Sequence, residues 1–353
     1  MRTLIVGGDF GDNPKASSVI AKMAEHFHGE VMNGGSVEDL IYLSQRLMGY
    51  ELVLWMPNLE NFVNKVYPKK MPGTVLICSK VLRPDRDRGD AVARVFKMNG
   101  NAVITVNTDE KPFKFELLDA LANRWYGGTD ISTLASYVKD LFIWTKQSIR
   151  LNSKLVEFAP NEIVELDGNM NDLCDIVHTV ADRVENERGG RYFGNISTRC
   201  AAMFPSMRVP HNIVLMSARN SPKTHLTWED FVPTKLVDKT VLYQGEKKPS
   251  VDAPIQLSMY EKYPELNFII HGHAFIKNAP FTKHYFPCGD MREFEAVTDM
   301  LPDDTGIFII NLKNHGFLIG SRSLEGLKFT VENIDFEYRE LYKPVEYGFP
   351  ASL

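Results

Sequence analysis

Cysteine is scarce in this chain. There are four in 353 residues, Cys78, Cys174, Cys200 and Cys288, and no Cys-x-x-Cys motif. So thin a set builds no disulfide framework, and it predicts free thiols in a reducing cytoplasm. No apolar run approaches the roughly 20 residues of a spanning helix, which argues against an integral membrane protein. There is no long basic run either. Forty basic against 45 acidic side chains leave a formal charge of −5, which argues against nucleic acid and anionic membrane as partners. Between Met1 and Gly8 only Leu4–Val6 is apolar and charge returns at Asp9, so a signal peptide is not expected. Internal repeats and low-complexity tracts are missing too. What remains is an ordinary globular composition, 44% hydrophobic and 24% charged. That is too hydrophobic for a disordered chain, and the length suits two domains.

The first 150 residues alternate between two periodicities. Short apolar runs at Thr3–Val6, Glu30–Met32, Glu51–Met56, Thr74–Cys78 and Ala102–Val106 read as strands. Helical spacing predicts helices over Lys15–Phe27, Val37–Met48 (with Ser36 as its cap), near Leu59–Val66, and over Asp90–Met98, Phe115–Trp125 and Ile131–Arg150. Strands separated by helices imply a doubly wound, Rossmann-like parallel sheet. Gly7-Gly8-Asp9-Phe10-Gly11 follows the first strand, where backbone amides can approach a phosphate at a helix N-terminus. The spacing is not the dinucleotide fingerprint, Pro14 occupies the turn, and Asn33-Gly34-Gly35 stands where an acidic residue would end the second strand. A turn that merely needs glycine and a nucleotide or phosphate site both remain open there.

After Arg150 the pattern changes. Residues 151–168 read as a connector containing Pro160 and Gly168, and 169–353 as a second α/β domain. Its strands are predicted at Ile213–Met216, Val241–Tyr243, Phe268–His271 and Gly306–Leu312. Its helices are predicted around Asp172–Glu187, then over Ile255–Tyr263, Met291–Met300 and Leu324–Tyr342.

The histidines of this second domain carry the chemistry. Phe268-Ile269-Ile270-His271-Gly272-His273 sets two imidazoles two residues apart at the end of an apolar strand. Residues i and i+2 of a strand share a face, so both rings can converge on one metal. His315 follows a second apolar strand, Ile307–Leu312. Three imidazoles with an open fourth position describe a catalytic zinc site. Asp252, in Pro249-Ser250-Val251-Asp252, is the carboxylate available for acid–base work. A His-x-His pair and a His-Gly after a strand are each also compatible with purely structural roles. His26, His28, His178, His211 and His225 show no metal spacing.

These residues resemble the class II aldolase/adducin superfamily, block by block and in order. Gly194-Asn195-Ile196-Ser197 resembles its Gly-Asn-x-Ser block. Met216-Ser217-Ala218-Arg219, with Leu226-Thr227 and Glu229–Val232 behind it, resembles the second phosphate-loop block. Ser250-Val251-Asp252 stands where the family has Ser-Ser-Glu, and His271, His273 and His315 resemble its three metal ligands. The likeness spans about residues 165–343. It implies a compact α/β subunit, often a four-fold symmetric homo-oligomer (a tetramer), holding a divalent metal. That metal is usually Zn2+, with Mn2+, Fe2+ or Co2+ as alternatives. The implied activity is that of a lyase, breaking or making a C–C bond in a small hydroxylated carbonyl compound, a sugar or sugar phosphate. The reaction passes through an enediolate that the metal stabilises.

On this resemblance Asp252 is the acid/base; Glu293, which follows the Cys288-Gly289-Asp290 turn, is by its position the rival carboxylate. Gly194, Asn195, Ser197, Ser217, Arg219 and Ser250 hold the substrate's anionic end. Tyr285 corresponds to a tyrosine that donates a proton across a subunit interface, and Cys288 is placed as a thiol near the site. Two departures bear on these expectations. Asp252 is one methylene shorter than the family glutamate, which shifts the base or inserts a water. Val251 replaces a phosphate-holding serine, while Ser217-Ala218-Arg219 replaces the usual Ser/Thr-Gly and offers a guanidinium fork instead. The alternatives are an epimerase or decarboxylase of the same superfamily, a non-catalytic adducin-like module, or a nucleotide-binding role for the N-terminal domain.

Overall fold

A computed structural model of the chain describes residues 1–8, 18–33, 47, 49–57, 73–82, 87–107, 109–150, 154–155, 168–205 and 210–345. The chain clusters into two compact units, one of Met1–Lys146 with Glu340–Val345, the other centred on Gln147–Arg339. Among the described residues no helix is long and apolar enough to cross a membrane.

The first unit is built on a seven-stranded sheet. Its strands are β1 (Thr3–Gly7), β2 (Glu30–Asn33), β3 (Leu52–Trp55), β4 (Val75–Leu82), β5 (Ala102–Asn107), β6 (Lys114–Asp119) and β7 (Arg124–Gly128). They lie in the order β2-β1-β3-β4-β5-β6-β7. The first five pair in parallel, and β6 and β7 add antiparallel. β1, β3 and the first half of β4 are buried continuously, as expected for parallel strands covered on both faces. Three helices follow the expected periodicity: α1 (Ser18–Phe27), α2 (Arg88–Lys97) and α3 (Ile131–Arg150). The helices expected over Val37–Met48 and near Leu59–Val66 lie outside the described residues, apart from Leu47, and so does Asp9–Gly11 of the glycine turn.

One helix expectation is overturned. Phe115–Trp125 is not a helix but the β6–β7 hairpin. Asp119 is the reason. Its carboxylate accepts from the backbone N–H of Leu121 and of Asn123, each at 2.9 Å, and from Trp125 Nε1 at 2.9 Å. Ala122 adopts the left-handed region with φ +63°. A side chain that competes for local backbone donors turns the chain where helical spacing alone continues it.

The second unit contains an eight-stranded sheet. Helix α4 (Gly168–Ala181) precedes it, and β8 (Lys154–Leu155) lies on its edge. A small hairpin, β9 (Glu187–Arg188) and β10 (Arg191–Tyr192), comes before β11 (Asn195–Arg199). After the short helix α5 (Cys200–Met203) come β12 (Val214–Ser217), β13 (Phe231–Val237) and β14 (Thr240–Tyr243). Helix α6 (Ala253–Lys262) leads into β15 (Phe268–Gly272) and β16 (Phe275–Ile276). They are followed by α7 (Met291–Thr298), β17 (Ile307–Leu312), β18 (Gly316–Ser321), α8 (Leu324–Glu332) and β19 (Phe336–Glu337). The sheet order is β17-β18-β15-β11-β12-β13-β14-β8, antiparallel except for β14 with β8.

Period-two alternation sorts the side chains onto two faces. Phe268 and Ile270 of β15 join Ile196, Phe317 and Ile319 in a core with Leu173 and Val177 of α4 and Leu327 and Val331 of α8. Ile269 faces the other way, into a core with Met216, Ile310, Leu257 and Tyr260 of α6 and Val297 of α7. His271 continues the Ile269 face. The helix expected to run from Leu324 to Tyr342 stops at Glu332. Arg183 Nη1 donates to Val331 O at 2.7 Å and its Nη2 donates to Ile334 O, which engages the carbonyls of the last turn. The chain then extends, and β19 pairs with β16.

Two glycines let the strands that carry the histidines approach. A Cβ on Gly316 would lie 2.0 Å from Gly272 O, and one on Gly194, at φ +72°, would lie 2.7 Å from His271 O. Gly316→Ala is therefore expected to push β18 off β15 at a cost of about 1–3 kcal/mol, as overpacking does. Thermal denaturation checks this, and an unchanged Tm would contradict the close approach.

Candidate metal centre

Three imidazoles converge at the ends of β15 and β18. The ring centroids of His271 and His273 are 5.1 Å apart, of His271 and His315 4.8 Å, and of His273 and His315 5.3 Å. One ligand nitrogen from each lies within 4.8 Å of the others. The register explains it: His271 pairs with Leu318 and Gly272 with Phe317, so the turn that carries His315 ends beside β15. All three are buried, at 3%, 6% and 0% exposure.

Hydrogen bonds fix which nitrogen faces the centre. His271 Nδ1 donates to Phe317 O at 2.9 Å, so Nε2 carries the lone pair, and it has no hydrogen-bond partner. His315 Nδ1 meets Glu293 Oε1 at 2.7 Å, which turns its Nε2 inward. His273 stacks on Phe193 at 4.8 Å. Burial, with repulsion from His315, presses His271 down to about 4. Burial and the two neighbouring imidazoles hold His273 well below the ordinary histidine value. For His315 burial acts the same way, but the Glu293 charge and Cys288 outweigh it and hold it well above. Two neutral rings and a third oriented by a carboxylate form a donor set suited to a divalent metal, each offering one nitrogen. A buried imidazole nitrogen with no partner is costly unless something binds it, so the residues fit such an ion.

Asp252 lies beside the cluster, its Oδ2 3.9 Å from His271 Nε2. Asn195 Nδ2 donates to Asp252 Oδ2 at 3.1 Å and to Ser250 Oγ at 3.0 Å. Asp252 Oδ1 is buried without a partner. Asn195 is itself held from behind by Gln256, whose Nε2 donates to Asn195 Oδ1 and whose Oε1 accepts from Ser197 Oγ at 2.6 Å. Tyr260 closes this network on Ser197.

The remaining expected site residues divide. Gly194, Asn195, Ser250 and Asp252 adjoin the cluster. Ser197 and Ser217 are fully buried, and Ser217 Oγ accepts from Ile196 N at 3.1 Å, so both hydroxyls are engaged inside the protein. Arg219 is exposed beyond Ser250, with Nε donating to Pro249 O at 3.3 Å. Tyr285 is 2% exposed, enclosed within its own chain. Sequence reading placed Glu293 as a rival base; in the fold it is the partner of His315. Gln256, Tyr260 and Phe193 were not singled out at all, since a glutamine on a buried helix face and two aromatics carry no spacing signal. Lys223 was missed as well. It is 4% exposed, burial lowers it to about 8, and its Nζ donates to Ser221 O at 2.7 Å.

Part of the second unit is similar to known proteins. Residues 172–279 match the profile of the Class II Aldolase and Adducin N-terminal domain. Among solved structures, the chain is similar to the N-terminal Class II Aldolase domain of a conserved protein from Thermoplasma acidophilum, at 15% identity and TM-score 0.33, over 50% of this chain and 99% of that one. It is also similar to L-fuculose-1-phosphate aldolase from Thermus thermophilus, at 14% identity and TM-score 0.31, over 46% of this chain and 89% of that one. L-fuculose 1-phosphate aldolase from Glaciozyma antarctica matches at 12% identity and TM-score 0.32, over 46% of this chain and 68% of that one. No curated protein sequence matches the chain.

Replacing Glu293 by Gln keeps the shape of the side chain but removes the negative acceptor behind His315. Affinity for a divalent metal is expected to fall about 10–100-fold, the usual cost of losing a partner behind a ligand histidine. Competition with a chromogenic chelator measures it, and an unchanged affinity would deny Glu293 that role.

Proposed function

We propose that the chain is a metal-dependent lyase of the class II aldolase type, cleaving or forming a C–C bond in a small hydroxylated carbonyl compound. The observation that carries this reading is the convergence of three buried imidazoles beside a carboxylate with one unpartnered oxygen. A non-catalytic adducin-like module has no use for such a costly arrangement.

In this reading His271, His273 and His315 hold the ion. When bound, a divalent metal supplies Lewis acidity toward a carbonyl or hydroxyl oxygen of the substrate. Asp252 takes the proton of the hydroxyl group on the carbon that becomes the aldehyde as its C–C bond breaks. Its Oδ2 is anchored by Asn195, and Oδ1 is the oxygen available for that proton. The Gln256–Asn195 bond keeps the Asn195 amide turned so that its NH2 faces the Asp252 carboxylate. Ser250 and Arg219 lie on the outer side and are suited to the substrate's anionic end, whether phosphate or carboxylate. An epimerase or decarboxylase would use the same base and the same ligands, and differs only in which bond to the activated carbon breaks.

The test is metal analysis of the purified protein, followed by a screen of phosphorylated and unphosphorylated sugars for aldehyde release. Asp252→Asn is expected to lower turnover by about 10²–10⁴, the usual share of a general base, while metal content stays unchanged. Loss of metal in that variant would make the aspartate a ligand instead. Near-normal turnover would remove it from the mechanism.

A further inference from the structure

A second donor set overlaps the three histidines. Asp252, Cys288 and His315 also offer ligand atoms that all lie within 4.8 Å of one another, so His315 belongs to both groups. Cys288 Sγ is 3.3 Å from His315 Nε2, the nitrogen that faces the centre, since Nδ1 is engaged by Glu293. In a tetrahedral zinc site with bonds of about 2.3 Å to sulfur and 2.0–2.1 Å to nitrogen, adjacent sulfur and nitrogen ligands lie about 3.5 Å apart. The thiol and the imidazole are thus already spaced as two ligands of one ion. Two atoms of residues in these overlapping groups are buried and lack hydrogen-bond partners: Asp252 Oδ1 and His271 Nε2, in residues 8% and 3% exposed.

Local backbone geometry delivers Cys288 there. It sits in a tight turn in which Asp290 N donates to Pro287 O at 3.1 Å and Gly289 takes φ +78°. Asp290 then caps α7, accepting from Arg292 N at 3.0 Å. Glu293 lies in the first turn of the same helix. One segment therefore grips His315 from both sides, with the Cys288 sulfur at Nε2 and the Glu293 carboxylate at Nδ1. The other three thiols, Cys78, Cys174 and Cys200, are buried.

We propose that Cys288 is a ligand of the metal, adding a thiolate beside His315 to the histidine set. This rests on the metal-centre reading above. On binding, the S–H bond breaks, the proton leaves to solvent, and the sulfur lone pair forms the bond to the ion, with no change of oxidation state. The consequence is selectivity: a thiolate favours Zn2+ and Co2+ over the harder Mn2+ and Mg2+.

Cobalt substitution tests this without an activity assay. Full-length protein freed of metal and titrated with Co2+ is expected to take up one equivalent and to develop a near-ultraviolet thiolate-to-cobalt charge-transfer band. The band should vanish in Cys288→Ser while the weaker visible cobalt bands persist. Zinc affinity of that variant should fall by the order of tenfold or more, with Mn2+ affinity nearly unchanged. Stoichiometric uptake by the unaltered protein without a charge-transfer band overturns the role of Cys288 and leaves the histidine site standing. Absence of uptake overturns the metal reading itself. Should the serine variant not fold, alkylation of the unaltered protein decides. Bound Zn2+ is expected to slow iodoacetamide labelling of Cys288, followed by peptide mass, at least tenfold, and equal labelling with and without Zn2+ overturns the proposal.

Discussion

The antiparallel pairing of β15 with β11 on one side and β18 on the other is the constraint on which the rest of the candidate centre depends. It pairs His271 with Asn195 across one ladder and with Leu318 across the other. Side-chain direction alternates along a strand, so a slip of one residue would carry His271 and His273 to the α4 and α8 face, among Phe268, Ile270 and Phe317. That register is pinned by apolar residues on both faces. It is also pinned by two glycines whose missing Cβ atoms let the backbones close, Gly194 against His271 O and Gly316 against Gly272 O. The hydrophobic cores therefore act on the chemistry indirectly: they set the phase of the strand that carries two of the three imidazoles.

Around that frame the polar groups are arranged in two tiers. The inner tier consists of His271, His273, His315 and Asp252, with Cys288 at its side. The outer tier orients it: Phe317 O and Glu293 fix the two imidazoles at their Nδ1 atoms, and Gln256 with Tyr260 fixes Asn195 and, through it, Asp252. Ordering by buried hydrogen bonds suits a site in which a misplaced lone pair costs much of its function. It also accounts for Ser197 and Ser217. Both are fully buried and bonded inside the protein, so they act through the outer tier rather than at its surface.

The first unit tells a different story. Four of its parallel strands, β1, β3, β4 and β5, were readable from short apolar runs, and α1, α2 and α3 followed from their spacing; the structure adds an Asp87 cap on α2 that accepts from Asp90 N at 3.0 Å. The β6–β7 hairpin was not readable. Phe115, Leu117, Leu118 and Leu121 are compatible with a helical stripe, and only the four hydrogen bonds gathered by Asp119 show that the chain turns. In the same way α8 looked as though it continued to Tyr342. Its end is set by Arg183, 148 residues from its partner Val331, and no local pattern encodes an interaction at that separation.

What the sequence alone determined is therefore whatever is written in short-range periodicity. It yielded the α/β class, nine of the nineteen described strands, the shared face of His271 and His273 two residues apart, and the ordered blocks that resemble class II aldolases and lie within or beside the stretch matched to that family. What only the tertiary structure decided is whatever depends on contacts between distant segments. It brought His315 to the other two imidazoles and recast Glu293 from rival base to partner of His315, 22 residues away. It turned Ser197 and Ser217 inward and set Cys288 against His315 Nε2 across 27 residues. The physical reason is the same in each case. A side chain's direction follows from its own strand or helix, but its neighbours follow from the register and packing of elements far apart in the chain.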